Sequence, residues 1–315
     1  MHNRILVTGK KGQLGQSLQK VLKDFPKYFN LTFNNNNSVE DYVHENLDLI
    51  FVTHNELDLS NPDLIDNFFL NENFSSIINC AAYTSVDKAE SNLELANKIN
   101  HLAVEQLSKI AKKKSIPLIH ISTDYVFNGQ STKPYCETDD TDPQNIYGNT
   151  KLKGEIAMIK SGCTGAIIRT SWVYSEFGSN FLKKMLALGT TNNTINVVAD
   201  QFGNPTYATN LAKIILTLFY KKQSIDVLTS QLNIYHFSDE GICSWYDFAK
   251  AIFKLSNINC KVNPVETKDY PTISNRPHYS AMDKSKIKHH LPGLVIQHWR
   301  NALISCLADL KKIEF

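Results

Sequence analysis

Charge of one sign, long apolar runs and paired cysteines are what this 315-residue sequence has little of. Its 33 basic and 31 acidic side chains leave a formal net charge of only +2. No global field therefore draws the chain onto nucleic acid or an anionic membrane, and neither partner is expected. Short basic runs such as Lys112-Lys113-Lys114 read as the solvated end of a helix. No stretch approaches the roughly 18–20 apolar residues that span a bilayer. The first residues, MHNRILVTGKKG, enter a strand with no charged leader or small-residue cleavage site, so a cytoplasmic protein is expected. The six cysteines, at 80, 136, 163, 243, 260 and 306, include no Cys-x-x-Cys and no close histidine spacing. That pattern argues against a zinc site or disulfide framework and for reduced, mostly buried thiols. No metal is expected.

What is present is the composition of a globular protein, 42% hydrophobic and 20% charged, with length enough for one large core or two smaller ones. Residues 4–8, Arg-Ile-Leu-Val-Thr, form a β-branched run that stops at Gly9, and Gln13 to Leu22 has helical apolar spacing. The same alternation continues with strands at 48–53, 76–81 and 117–122 and helices over about 61–70 and 89–113. Strands that are apolar throughout, alternating with helices of this length, predict a Rossmann-type doubly wound parallel sheet in an α/β fold. The stretch 26–46, with an unbroken run from Asn34 to Asn37, reads as a surface insertion.

Further on, a strand at 166–172 and a helix around 181–188 precede a mixed pattern. It includes a helix over 209–220, a short strand at 234–237 and a last helix over about 296–310. Ser244-Trp-Tyr-Asp247 reads as a capping box. We expect residues 1–165, with parts of 166–240, to form a dinucleotide-binding domain. A smaller mixed α/β C-terminal lobe from about 166 to 315 would interleave with it and form a cleft over the sheet ends.

Gly9, Gly12 and Gly15 stand directly after the first strand and at the head of the first helix. That spacing alone would also suit a plain structural turn. In this position Gly9 permits the tight turn, Gly12 lets amides approach a diphosphate, and Gly15 allows close packing of helix on strand. Lys11, Gln13 and Leu14 belong to the same turn, whose helix N-terminus favours phosphate. The second strand ends in Thr53-His54-Asn55 with no obvious carboxylate for a ribose 2′-hydroxyl, whereas Lys11 could meet a 2′-phosphate. NADPH is therefore the expected cofactor, with NADH as the alternative. Asp58 and Leu59 at the next turn would suit the adenine.

Tyr147 and Lys151 lie four apart and share one face of a helix. A phenol has an ordinary pKa of about 10, and a neighbouring ammonium is expected to lower it and so fit the group for proton transfer. Lys151 can also hold ribose hydroxyls of the cofactor. Thr123, at the end of the 117–122 strand, can polarise a carbonyl beside the tyrosine. Any isolated Tyr-x-x-x-Lys is more often a surface pair; here it follows a dinucleotide turn.

Several strings carry a wider resemblance. They are residues 9–15 (GKKGQLG), 79–90 (NCAAYTSVDKAE), 122–129 (STDYVFNG), 143–155 (PQNIYGNTKLKGE), 169–174 (RTSWVY) and Arg276-Pro277. Together they resemble the extended short-chain dehydrogenase/reductase superfamily and, within it, the dTDP-4-dehydrorhamnose reductase family. The resemblance implies transfer of hydride to the C4 ketone of the nucleotide sugar dTDP-6-deoxy-L-lyxo-4-hexulose, giving dTDP-L-rhamnose for polysaccharide synthesis. It implies Thr123, Tyr147 and Lys151 as catalytic residues. Ala81, Ala82 and Tyr83 would line the cofactor, and Thr84, Val86, Asp87, Tyr125 and Trp172 would face the sugar. Arg276 would neutralise the diphosphate, with a surface arginine in a loop as the alternative. Some members hold magnesium at a dimer interface with a glutamate two residues after the third glycine. This chain has Ser17 there, so the resemblance leaves a homodimer open without a metal to link it.

A related dehydratase would need Thr-Asp-Glu at the strand end, where this sequence has Tyr125. A nucleotide-sugar 4-epimerase or another 4-ketosugar reductase would share most of the motifs. So would a non-catalytic, NADP-binding regulatory subunit of a synthetase.

Overall fold

The structure, a computed structural model, describes residues 4–24, 47–220 and 222–313. The asparagine-rich insertion expected at 26–46 lies outside the described residues. Strand β1 (Arg4–Thr8) leads through the glycine turn into helix α1 (Gln13–Lys23), whose buried residues Leu14, Leu18 and Val21 lie on one stripe. After β2 (Asp48–Val52), Asn61 caps helix α2 (Pro62–Asn71), its side-chain oxygen accepting from the amides of Asp63 and Leu64. Strand β3 (Ser76–Asn79) follows.

The single helix expected over 89–113 is instead broken. Short helices α3 (Val86–Ala89) and α4 (Leu93–Asn97) are followed by a π-helical turn, Lys98–Leu102, and only then by α5 (Ala103–Lys114). The irregularity has a physical reason. Asn100 in the π turn is 1% exposed, and its amide accepts from the Tyr83 N–H at 2.9 Å while donating to the Tyr83 carbonyl at 3.0 Å and the Thr150 hydroxyl at 3.2 Å. A regular helix would carry that side chain out of register with the loop it holds.

Strand β4 (Leu118–Thr123), helix α6 (Ile146–Ser161) and strand β5 (Gly165–Thr170) complete the first half. The chain then leaves the sheet through β6 (Val173–Tyr174), α7 (Phe181–Thr191), β7 (Thr194–Val198), β8 (Phe202–Gly203) and β9 (Thr206–Tyr207). Helices α8 (Ala208–Tyr220) and α9 (Lys222–Ser230) bring it back to β10 (Leu232–His236) beside β5. Strand β11 (Cys243–Ser244), α10 (Trp245–Leu255), β12 (Lys261–Val265), α11 (Ser285–His290) and α12 (Trp299–Ile313) follow. The Ser244–Asp247 capping box forms as expected. The last helix begins at Trp299, three residues beyond the expected start.

The main sheet has six strands in the order β10-β5-β4-β3-β1-β2, every neighbouring pair parallel. Alternate side chains fill cores on opposite faces. Ile5, Val7, Ile78, Ile119 and Ile168 pack with α1 and α8, while Leu6, Ile77, Leu118 and Ile167 pack with α2, α5 and α6. This is the Rossmann-type doubly wound α/β fold. The chain reverses direction across the sheet between β1 and β3, and the crevice at their carboxyl ends is where such sheets take ligands. The remaining strands make three two-stranded ladders, β6 with β9, β7 with β12 and β8 with β11. Among the described residues no helix is long and apolar enough to cross a membrane, and all six cysteines are free thiols, four of them buried.

Candidate active site

A cavity of about 770 Å³ opens over the ends of β1, β3 and β4. Its floor is the glycine turn. Gly9 takes φ +78°, and a Cβ there would stand 2.9 Å from the Ala81 nitrogen; a Cβ at Gly15 would stand 2.2 Å from the Gly9 carbonyl oxygen. Side chains at either position would displace the turn, so both glycines keep it packed, Gly9 against the segment after β3 and Gly15 against the turn itself. The first turn of α1 holds no acidic side chain and no side-chain cap, which leaves its amides for an anion. These features fit a dinucleotide diphosphate. Gly9, Lys11, Gly12, Gln13 and Leu14 line the cavity, as do Asp58, Leu59, Ala81 and Ala82. Gly15 lies beneath it as packing.

Gln13 also ties the turn to the second half of the chain. Its side-chain oxygen accepts from the Ser175 hydroxyl and the Asn180 amide, both at 2.9 Å. At the end of β2 the structure adds a carboxylate that the sequence reading missed. Glu56 folds back so that one oxygen accepts from both the amide and the hydroxyl of Thr53 at 2.7 Å. The Thr53 bonds, helped by Lys10 and Lys11, hold this exposed carboxyl below its usual range. The signal was only four residues past the strand, but the turn that returns it is a loop conformation without periodicity.

Asn145 caps α6 by accepting from the Gly148 amide at 2.8 Å. A Cβ at Gly148 would lie 2.1 Å from the Tyr125 carbonyl oxygen, so the glycine beside Tyr147 lets the helix press onto the Thr123–Tyr125 segment. Thr123, Tyr147 and Lys151 all line the cavity. Burial pushes the Tyr147 phenol up to about 12, opposed by the Thr123 hydroxyl beside it and reinforced by the Asp124 charge. The expected lowering by Lys151 is not found. Lys151, 1% exposed, donates to the Ile121 carbonyl at 2.6 Å and lies 3.2 Å from His120 Nε2. Burial brings its ammonium down to about 8, with Glu155 and Cys80 opposing the change. Thr123 donates to Asp124 at 3.0 Å, and burial raises that carboxyl to about 6.

Thr84, Val86, Tyr125 and Trp172 line the same cavity. Trp172 takes φ +46°, a left-handed conformation that turns its indole onto Trp245, with ring centroids 3.5 Å apart and planes 7° from parallel. Trp245 also lines the cavity and was not anticipated. The capping box marked it as the first residue of a helix, yet nothing local connects it to Trp172, 73 residues away.

Tyr83, Asp87 and Arg276 are not among the lining residues. Tyr83 is held through its backbone by Asn100. Asp87 and Arg276 pair with each other at 2.7 Å, and Asp87 also accepts from the Ser274 amide at 3.2 Å. Ser274 and the Ile146 amide both donate to Glu90, at 3.3 and 3.0 Å, so this group straps the 274–276 loop to the start of α6. Ser17 is wholly buried, its hydroxyl without a hydrogen-bond partner.

A parallel sheet with a glycine turn at its switch point, and Thr, Tyr and Lys in the crevice above, defines a nicotinamide-dependent oxidoreductase of the extended short-chain dehydrogenase/reductase type. The family model for the RmlD substrate binding domain matches residues 3–312. The chain belongs to that family. It is 37% identical to the dTDP-4-dehydrorhamnose reductase of Aggregatibacter actinomycetemcomitans, covering 95% of this chain and 97% of that one. Among solved structures it is similar to a dTDP-4-dehydrorhamnose reductase from Clostridium acetobutylicum, with TM-score 0.85 and 34% identity over 98% of this chain and 99% of that one. It is also similar to the Bacillus anthracis dTDP-4-dehydrorhamnose reductase in complex with NADP, with TM-score 0.83 and 33% identity over 98% and 100%.

Proposed function

We propose that this protein reduces the C4 ketone of dTDP-6-deoxy-L-lyxo-4-hexulose to give dTDP-L-rhamnose, with NADPH as preferred reductant and NADH as a weaker substitute. The observation that carries the reading is that Thr123, Tyr147 and Lys151 share one cavity with the glycine turn and with Trp172. Family membership supplies the substrate class.

When bound, a reduced nicotinamide supplies hydride to C4. Tyr147 delivers its phenolic proton to O4 as the carbonyl becomes an alkoxide. Its raised pKa keeps the phenol protonated at neutral pH, the form a proton donor needs. The Thr123 hydroxyl polarises the same oxygen. Lys151 would hold the ribose hydroxyls with its ammonium, and Lys11 would meet the 2′-phosphate. Trp172, backed by Trp245, provides a flat apolar wall for the sugar with one N–H donor. Arg276 and Asp87, which pair with each other, act on the substrate indirectly, by fixing the 274–276 loop.

Residues 1–165 with parts of 166–240 make the cofactor domain in this reading, and about 166–315 the substrate lobe. The protein works in the cytoplasm and can pair as a homodimer. Product analysis by NMR after incubation with NADPH and the ketosugar tests the assignment. A rhamnose-configured product with stoichiometric NADPH consumption is expected. A talose-configured product would overturn the stereochemistry, and no NADPH consumption would overturn the activity.

A further inference from the structure

Behind Lys151, on the side away from the cavity, a chain of buried polar groups runs back to the strand that carries the glycine turn. His120 in β4 is wholly buried, with Nε2 3.2 Å from Lys151 Nζ. Its Nδ1 is 3.1 Å from the side-chain amide of Asn79, which is also wholly buried. The Asn79 nitrogen faces Nδ1, and its oxygen accepts from the Thr8 hydroxyl at 2.7 Å; Thr8 in turn accepts from the Ala81 N–H at 3.2 Å. The chain thus joins the last residue of β1, the end of β3 and the middle of β4 to the lysine of α6.

A neutral imidazole has one N–H and one lone pair, and an ammonium can only donate. Burial, and secondarily the Lys151 charge, keep His120 neutral by moving its pKa well below the ordinary value. Facing an ammonium, His120 must accept at Nε2 and carry its proton on Nδ1. Asn79 must then turn its oxygen to Nδ1 and its NH₂ to Thr8, an exchange of O and N that leaves the shape unchanged. The opposite orientation, with the Asn79 NH₂ donating to Nδ1, suits a neutral Lys151 amine that accepts from the Nε2 proton. The tautomer of His120 and the charge on Lys151 are therefore coupled through one hydrogen bond.

We propose that His120 is a positioning residue for Lys151, accepting a hydrogen bond from its ammonium so that the cation stays directed at the cofactor ribose, with Asn79 and Thr8 setting the tautomer. The inference rests on Lys151 being the cation of the active site. The other titratable groups around Lys151 are Cys80 after β3, Glu155 one turn along α6 and Tyr147 one turn back. Glu155 is itself held by Arg169 of β5 at 2.7 Å and by the Ser122 hydroxyl. None of these contacts involves His120, so its substitution removes none of them.

The test is an NMR titration of the Lys151 side chain in the full-length protein, its signal assigned by its loss in Lys151→Arg. Relative to the parent midpoint, His120→Phe should titrate about one pH unit lower, because the ammonium loses its acceptor. His120→Gln, which restores an acceptor oxygen, should return the midpoint to within a few tenths of a unit. Asn79→Asp should move it upward, since a carboxylate facing Nδ1 strengthens the acceptor at Nε2. A His120→Phe midpoint equal to the parent's, or a Gln midpoint displaced as far as the Phe one, would overturn the proposal. If the Phe variant does not fold, the Asp variant decides, and a midpoint that stays or falls overturns it. No sugar nucleotide is present in this titration. Failure to turn over the ketosugar would sink the substrate assignment and leave this result standing.

Discussion

The region around the glycine turn and the region around the tryptophan pair hold their shapes by different means. In the first, six parallel strands share a continuous main-chain ladder between two aliphatic cores. In the second, no sheet among the described residues exceeds two strands and the core is aromatic. Tyr174 and Phe181 pack on Phe248, which meets Trp299 edge-on, and Trp172 stacks on Trp245. A ladder places atoms through repeated backbone bonds and depends little on which aliphatic side chain fills each site. An aromatic cluster places atoms through ring geometry, so each ring is harder to replace. Loss of one ring should therefore disturb the second region and leave the first in place.

The largest expected effect isolates chemistry from both regions. Tyr147→Phe removes the proton donor and should lower kcat by about 10²–10⁴-fold. NADPH affinity, read by fluorescence titration, should remain close to the parent's. Unchanged turnover would contradict the mechanism, and a parallel loss of NADPH binding would mean that the phenol shapes the cofactor site as well. A smaller effect tests the separation directly. Trp245→Ala leaves Trp172 without its stacking partner and should raise KM for the nucleotide sugar about tenfold, or about 1.4 kcal/mol, with NADPH affinity preserved. Equal losses for both ligands would break the distinction between the halves. The smallest lies wholly within the region of the glycine turn. Lys11→Ala should weaken NADPH binding about fivefold, the scale of one exposed ion pair, and leave NADH binding unchanged. An equal effect on both cofactors would remove Lys11 from 2′-phosphate recognition.

Much of the first region was legible because its signals are local. The β1 run, the three glycines and the helix that follows occupy twenty consecutive residues, and period and turn chemistry suffice to place them. Tyr147 and Lys151 were readable for the same reason, as one face of one helix. The helix expected over 89–113 was less so. Its π turn exists to hold the loop at Tyr83 and the face of α6 at Thr150, neither of which is visible in the apolar spacing of residues 89–113. Trp245, the returning Glu56 carboxylate and the Asp87–Arg276 strap escaped for a related reason, since each depends on a loop path or on a partner far along the chain.

From the sequence alone came the doubly wound fold, the dinucleotide turn and the Thr123, Tyr147 and Lys151 set, because hydrophobic period and glycine spacing are properties of neighbouring residues. Tertiary structure alone decided how those groups are charged and directed. The Tyr147–Lys151 spacing predicted a phenol lowered by an adjacent ammonium. Folding instead half-buries Tyr147 and fully buries Lys151, raises the phenol, lowers the ammonium and turns Lys151 onto the Ile121 carbonyl and His120. Desolvation and hydrogen-bond partners are set by whatever the whole chain packs around a side chain, and no spacing within one helix encodes them.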